Sequence, residues 1–318
     1  SLSRAAYRGS TPPPSLLGAS HLPLCKCDFP VGARQRASAL LPSSLSRAAS
    51  AWLPLAFAVL AIGCTNPSLT ELEDRVSDNF SGKVTQPGDL DPSGTDQFTF
   101  AVFGDSHIGN KAGRVLPDII RSAQQNNDAF VIAAGDVTDN GAKGQYEDFL
   151  QFFRSAGLEF RAAIGNHDIY FGGWSRFRSH IGASIYSFNA DNVHFVMLDS
   201  ANGVLGRRQL KWLEDDLNNN RRQFTVVVSH FPPWIGHLSS MYKLASEEEA
   251  AVLKDILYRH SVNVMIAGHY HGYDKITLGR TLFVVTGGAN AILDPGNRKH
   301  FVRVRVTPTA ITPEYVPL

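Results

Sequence analysis

Five short apolar runs, each closed by a polar cluster, constrain this chain more than any other feature. They are Phe98–Phe103, Ala129–Ala134, Phe160–Ile164, Phe224–Val228 and Val262–Ala267. Each is continuous and rich in strand-favouring residues, the pattern of strands covered on both faces of a sheet. Helical patterns lie between several of them. Leu210, Leu213 and Leu217 recur at i, i+3 and i+7, and Ser246–Glu249 gives a capping-box signal ahead of Val252, Leu253, Ile256 and Leu257. Ile185–Asp199 reads as a hairpin turning near Ala190–Asn192, and three strand patterns follow one another after residue 272. The expected architecture is a layered α/β fold with a largely β C-terminal part.

The polar clusters are Gly104-Asp105-Ser106-His107, Gly135-Asp136-Val137-Thr138-Asp139, Gly165-Asn166-His167-Asp168, Ser229-His230 and Gly268-His269-Tyr270-His271. Ligand sites in open α/β sheets form beyond the carboxyl ends of the strands, so these clusters are expected to converge on one rim. Glycine before the polar residue allows a sharp turn. Asp105 and His107, and likewise His269 and His271, are expected to point the same way from extended strand ends. All three cysteines lie within the first 64 residues, so a metal in the globular part must sit on His, Asp, Glu or Asn. That donor set suits Mn, Fe or Zn. Hydrolysis of a phosphate ester needs a strong nucleophile at neutral pH and neutralisation of phosphoryl charge, and a pair of metal ions meets both needs.

The ordered set D-x-H, G-D-x-x-D, G-N-H-D, H and G-H-x-H, spread over residues 105–271, resembles the motif series of the calcineurin-like metallophosphoesterases. The resemblance implies a β-sandwich flanked by helices, with the metal site at strand C-terminal ends, and two metal ions. It implies that Asp105, His107 and His271 hold the first metal, and Asn166, His230 and His269 the second, with Asp136 bridging. His167 would be the catalytic histidine with Asp168 orienting it, and Asp139 would support from behind. The implied activity is hydrolysis of small phosphate esters. The stretches from Leu198 to Leu213 and from Ser229 to Pro233 are similar both to class III cyclic-nucleotide phosphodiesterases and to purple-acid-phosphatase-like monoesterases, so diester and monoester both stay open. The alternative is a metal-binding scaffold on the same fold without catalysis.

The rest of the chain reads differently. Residues 1–46, rich in Ser, Pro, Ala and Arg, are expected to be a disordered prefix. Residues 47–64 hold the apolar run Ala51–Ile62 ending in Gly63-Cys64, which suits a secretory signal and is too short to span a bilayer comfortably. Ala61-Ile62-Gly63-Cys64 resembles the lipobox of bacterial lipoproteins. That implies export and a lipid anchor at Cys64, in the periplasm or on the outer membrane; an ordinary secretory signal or an organellar import segment are the alternatives. Residues 65–96 read as a polar tether, and residues 97–318 as the metallophosphoesterase domain. Residues 1–64 carry six basic residues and one acidic, whereas the remainder carries 24 basic and 28 acidic, which gives no electrostatic footprint for general nucleic-acid binding. There is no G-x-S-x-G, no Walker loop and no H-E-x-x-H. His180, His194, His237, His260 and His300 are expected to be packed or exposed bystanders, and Tyr270 to pack away from the metals. Tyr170, Phe171 and Trp174 are expected either to line a substrate wall or to form a local apolar cluster.

Overall fold

The computed structural model describes residues 67–92, 94, 96–109, 115–234, 236 and 242–318. The prefix, the apolar segment that ends at Cys64, and His237 lie outside the described residues. In chain order the strands are β1 (Phe98–Phe103), β2 (Val131–Ala134), β3 (Phe160–Ala163), β4 (Tyr186–Ala190), β5 (Val193–Met197), β6 (Phe224–Val228), β7 (Val264–Ala267), β8 (Tyr273–Leu278), β9 (Thr281–Thr286), β10 (His300–Val306) and β11 (Ile311–Pro317). The helices are α1 (Pro67–Phe80), α2 (Val115–Asn126), α3 (Lys143–Ala156), α4 (Trp174–His180), α5 (Arg207–Asn219) and α6 (Glu247–Arg259).

The strands form two sheets, ordered β11-β10-β1-β2-β3 and β4-β5-β6-β7-β9-β8. The continuous apolar runs are explained by their two faces. Phe98, Phe100 and Val102 of β1 enter the core between the sheets, while Ala101 and Phe103 face a second core on the outer side. In β6, Val226 and Val228 face the inner core and Val227 the outer one. Aromatic rings knit the inner core: Phe100 stacks on Phe130 at 5.0 Å, Phe188 on Phe195 at 4.8 Å, and Phe100 meets Phe195 edge-on at 5.3 Å. Helices α2 and α3 cover the outer face of the first sheet, and α5 and α6 that of the second. The result is a helix–sheet–sheet–helix sandwich, as the layered α/β expectation required. The β4–β5 hairpin pairs antiparallel, with Ala190 opposite Val193 at its turn.

Two local expectations change, and one strand is added to those read from the sequence. The stretch read as a polar tether holds α1, whose Leu72 and Val76 are buried and whose Arg75 is locked inside the fold. The Arg75 guanidinium donates to both carboxylate oxygens of Asp199 at 2.7 and 3.0 Å. Asn79 accepts from the backbone N–H of Ser184 and Ile185 at 3.0 and 3.2 Å. Few apolar residues mark this helix, because polar groups with dedicated partners fill much of its buried face. The capping box is half formed: Ser246 Oγ accepts from Glu249 N at 3.1 Å. The Glu249 carboxylate turns instead to Leu205 N and Gly206 N, at 2.7 and 3.1 Å, and so pins the start of α5. Finally, β11 carries Pro313 and Pro317 and pairs only with β10, an edge position where missing N–H donors are tolerated.

Candidate metal centre

Strands β1, β2 and β3 run parallel in one sheet, and β6 and β7 run parallel in the other. Their C-terminal ends therefore emerge on the same edge of the sandwich. Several hydrogen bonds sew the sheets together there, two of them from site histidines. His230 Nδ1, beyond β6, donates to the carbonyl of Ala134 in β2 at 2.9 Å, and His269 N, beyond β7, donates to Asp105 Oδ2 at 3.0 Å. The backbone does not stay extended as the alternation argument assumed. Asp105, His107, Asp136 and His269 all adopt left-handed φ values of 62°, 41°, 49° and 64°. Asp and His tolerate this region better than bulkier residues, and the side-chain bonds at this edge fix them in it. Gly135 is needed for space as well as for its φ of 90°: a Cβ there would lie 2.3 Å from His230 Nδ1.

The donor atoms converge as three overlapping groups: Asp105, His107 and His271; His107, Asp136 and His167; Asp136, His230 and His269. His107 Nε2 lies 3.8 Å from Asp105 Oδ1 and 3.6 Å from Asp136 Oδ2, and His271 Nε2 lies 3.5 Å from Asp105 Oδ1. His230 Nε2 lies 3.3 Å from Asp136 Oδ2 and 3.1 Å from Asn166 Oδ1. Asp136 thus stands between the two halves of the cluster.

The ring tautomers follow from what holds each imidazole. Carbonyl oxygens only accept, so Nδ1 carries the proton in His230 (to Ala134 O), in His271 (to Ile292 O, 3.0 Å) and in His167 (to Asp139 O, 2.6 Å). The Nε2 lone pairs of the neutral rings then face carboxylate and amide oxygens, which also carry only lone pairs. Buried Asp105 Oδ1 and His107 Nε2 have no hydrogen-bond partner. Acceptors facing acceptors across 3–4 Å are stable only around protons or cations. The His/Asp/Asn donor set and these orphaned atoms fit metal ions.

In the metal-free protein, protons take that role. Burial alone would raise the Asp105 carboxyl, but His107, His271 and His230 outweigh it and hold Asp105 far below the usual carboxylate range. Asp136 is lowered too, its burial offset by His230. Burial disfavours charge on His230, yet Asp136 and Asp105 push it up to about 9. His107 and His271 are raised against burial, chiefly by Asp105.

Asp168 does not orient His167. Its carboxylate accepts from Thr138 N, Thr138 Oγ1, Gly165 N and Val137 N at 2.9, 2.8, 3.0 and 3.3 Å. It therefore clamps the loop after β2 to the loop after β3. Both residues sit on a 3-10 turn, His167–Ile169, where adjacent side chains diverge. The Asp139 carbonyl holds His167 Nδ1, and the Asp139 carboxylate lies 3.6 Å from His107 Nδ1. Asp139 thus supports two imidazoles. Burial and the nearby Asp136 charge push Asp168 up to about 6.

Residues 98–273 match the calcineurin-like phosphoesterase family. The chain belongs to that family. It is 37% identical over 97 residues to purple acid phosphatase 23 of Arabidopsis thaliana, covering 29% of this chain and 20% of that protein. A Fibrobacter succinogenes protein named a probable cyclic nucleotide phosphodiesterase is 24% identical, over 60% of this chain and 79% of its own. The chain spans about a fifth of the length of the purple acid phosphatases it matches. Among solved structures, a dimetal phosphatase from Danio rerio superposes with a TM-score of 0.57 at 15% identity, covering 69% of this chain and 96% of that one. A Plasmodium protein described as the anchor in the inner membrane complex gives 0.54 at 15% identity, covering 70% and 85%. At such identity the likeness speaks for the shared fold.

Other residues of this calcineurin-like phosphoesterase fall into place around the cluster. Ser200 was not singled out from the sequence, yet its Oγ accepts from His230 N and Phe231 N at 3.1 and 2.8 Å and fixes the end of β6. A lone serine after a strand carries no signal of that role. His194 is buried against Asp216 at 2.7 Å, and His300 is buried with Nδ1 on the Arg298 carbonyl. Tyr270 packs with Val285 and Tyr242. Trp174 packs against both neighbouring cores and donates Nε1 to Asp78 at 3.1 Å, which separates it from exposed Tyr170 and Phe171.

Proposed function

We propose that this chain is a metal-dependent hydrolase of phosphoric esters acting through a dinuclear centre. Asp105, His107 and His271 would hold one ion and Asn166, His230 and His269 the other, with Asp136 shared. The observation that carries the reading is the place of Asp136 Oδ2, 3.6 Å from His107 Nε2 and 3.3 Å from His230 Nε2, between two donor sets. Metal ions held there supply Lewis-acid polarisation of the phosphoryl group and activation of water. The chain's own work is orientation and proton transfer. Carbonyl oxygens hold Nδ1 of His167, His230 and His271, and the Asp139 carboxylate lies beside Nδ1 of His107, so the Nε2 of these four rings faces the site. His167 is anchored through Nδ1 to the Asp139 carbonyl; in the imidazolium form, with Nε2 protonated as well, Nε2 would pass its proton to the leaving oxygen and return to the neutral ring. Asp168 is assigned the clamp and not the catalytic pair.

The test uses the full chain loaded with manganese, comparing bis-p-nitrophenyl phosphate with p-nitrophenyl phosphate. Hydrolysis of either that is lost in Asp136→Asn supports the enzyme, and the faster ester separates phosphodiesterase from phosphatase. An Asp136→Asn variant that matches wild type would leave the scaffold reading. We further propose export with a lipid anchor at Cys64, supported by the apolar run before Gly63-Cys64. Labelled palmitate incorporated by the wild type and absent from Cys64→Ala tests it; equal labelling refutes it.

A further inference from the structure

Among the described residues, the two most exposed large apolar side chains are Phe171 at 86% and Ile292 at 85%. Both sit on loops that serve the metal centre. Ile292 lends its carbonyl to His271, and Phe171 follows the turn that carries His167. Phe171 combines two unfavourable features. Its φ is 53°, a left-handed conformation that a bulky residue rarely adopts, and its ring stands in water. Nothing about core packing calls for either.

The surrounding chain holds this arrangement firmly. The Arg176 guanidinium donates to the carbonyls of Tyr170 at 3.2 Å and Phe171 at 2.9 Å, and also to Gly141 O. Gly172 follows at a φ of 73°, and a Cβ on Gly173 would lie 1.9 Å from the Asp168 carbonyl, so the turn is pressed onto the clamp. Tyr170 links the loop to the site. Its ring lies 4.7 Å from that of His167, and its hydroxyl accepts from Asn166 Nδ2 at 3.1 Å, which leaves Asn166 Oδ1 facing His230. The Phe171 ring meets that of Tyr170 edge-on, with centroids 6.4 Å apart. Strain kept in place by dedicated hydrogen bonds, beside reactive groups, belongs with ligand contacts.

We propose that Tyr170 and Phe171 form a preorganised ledge that receives the leaving-group side of the ester, and that Phe171 selects esters whose leaving group carries a planar apolar ring. This rests on the phosphoesterase reading above and deepens it. A ring stacked on the ledge would extend from the oxygen that His167 serves, which ties the choice of leaving group to the proton-transfer end of the site. Tyr170 is a positioning residue for Asn166 in addition to its place on the ledge.

Binding separates the two claims without requiring turnover. The probes are 1-naphthylmethylphosphonate and methylphosphonate, titrated by calorimetry into the manganese-loaded full chain. The wild type is expected to prefer the naphthyl compound by about tenfold, the scale of one aromatic contact plus the area it buries. Phe171→Ala should bring the ratio near one while methylphosphonate affinity and metal content stay the same. Phe171→Trp should restore the preference. Equal binding of both probes by the wild type, or a preference that survives Phe171→Ala, overturns the ledge and leaves the phosphate site standing. Failure of both probes to bind overturns the phosphoesterase reading and the ledge with it.

Discussion

Replacing Arg75 by Ala tests whether α1 is part of the folded domain. Arg75 and Asp199 are both essentially without solvent contact, and two N–H groups of one meet two oxygens of the other. Asp199 also accepts from Ser184 Oγ at 2.9 Å and Ala201 N at 3.2 Å, so its side chain stays buried in place when the arginine is gone. An uncompensated buried carboxylate costs about 3–5 kcal/mol, far more than the net worth of the intact pair. For a domain of this size each kcal/mol moves the melting temperature by about 2–4 °C, so a loss of roughly 6–20 °C is expected. Urea unfolding gives the direct reading, as a lower midpoint at unchanged slope. The double variant Arg75→Met/Asp199→Asn should recover part of the loss, because the buried charge leaves with its partner. The exposed pair Lys211–Asp215 serves as control, and Lys211→Ala should leave the midpoint where it is. An Arg75→Ala cost below about 1 kcal/mol would refute the reasoning and return residues 67–80 to the role of a tether.

Further outcomes follow from the same structure. Asp168→Asn places an N–H₂ group where backbone N–H donors point, and should cost at least about 2 kcal/mol in stability while leaving the shape of the pH–rate profile unchanged; a shifted acid limb at normal stability would reinstate Asp168 as the partner of His167. Because His230 is raised to about 9, it is protonated in the metal-free protein at neutral pH and must lose that proton to coordinate. Metal affinity should therefore rise with pH up to about 9, while the stability that the His230–Asp136 pair gives the metal-free protein is lost as pH rises through the same value. Calorimetry in buffers of different ionisation enthalpy should show proton release at pH 7, and pH-independent binding would contradict the assignment. Gly135→Ala should lower both stability and metal content, since its Cβ would lie 2.3 Å from His230 Nδ1; wild-type metal content in that variant would count against the site geometry.

The sequence made the strands legible because they are covered on both faces. Runs such as Phe98–Phe103 divide between two cores, so neither face admits polar residues to break the pattern. The site clusters were legible for a related reason, as glycine and acceptor-rich residues at strand ends have little packing role of their own. What stayed hidden is carried by backbone or by buried polar pairs. The Asp139 carbonyl that holds His167 leaves no trace in residue identity, and the neighbouring Asp168 carboxylate invited the wrong pairing. The left-handed turns at Asp105, Asp136 and His269 need the side-chain bonds of the folded site to form. Arg75 and Asn79 gave α1 a polar look because their partners, Asp199 and Ser184, lie more than a hundred residues away.

The proposed pair of metal ions sharing Asp136 fixes what the metal content of the purified full chain must be. After reconstitution with manganese and removal of excess ion, elemental analysis should find two ions per chain in the wild type. Asp136→Asn should hold fewer and lose hydrolysis of both p-nitrophenyl esters. A wild-type chain that binds no metal, or an Asp136→Asn variant that keeps two ions and full activity, would contradict the account.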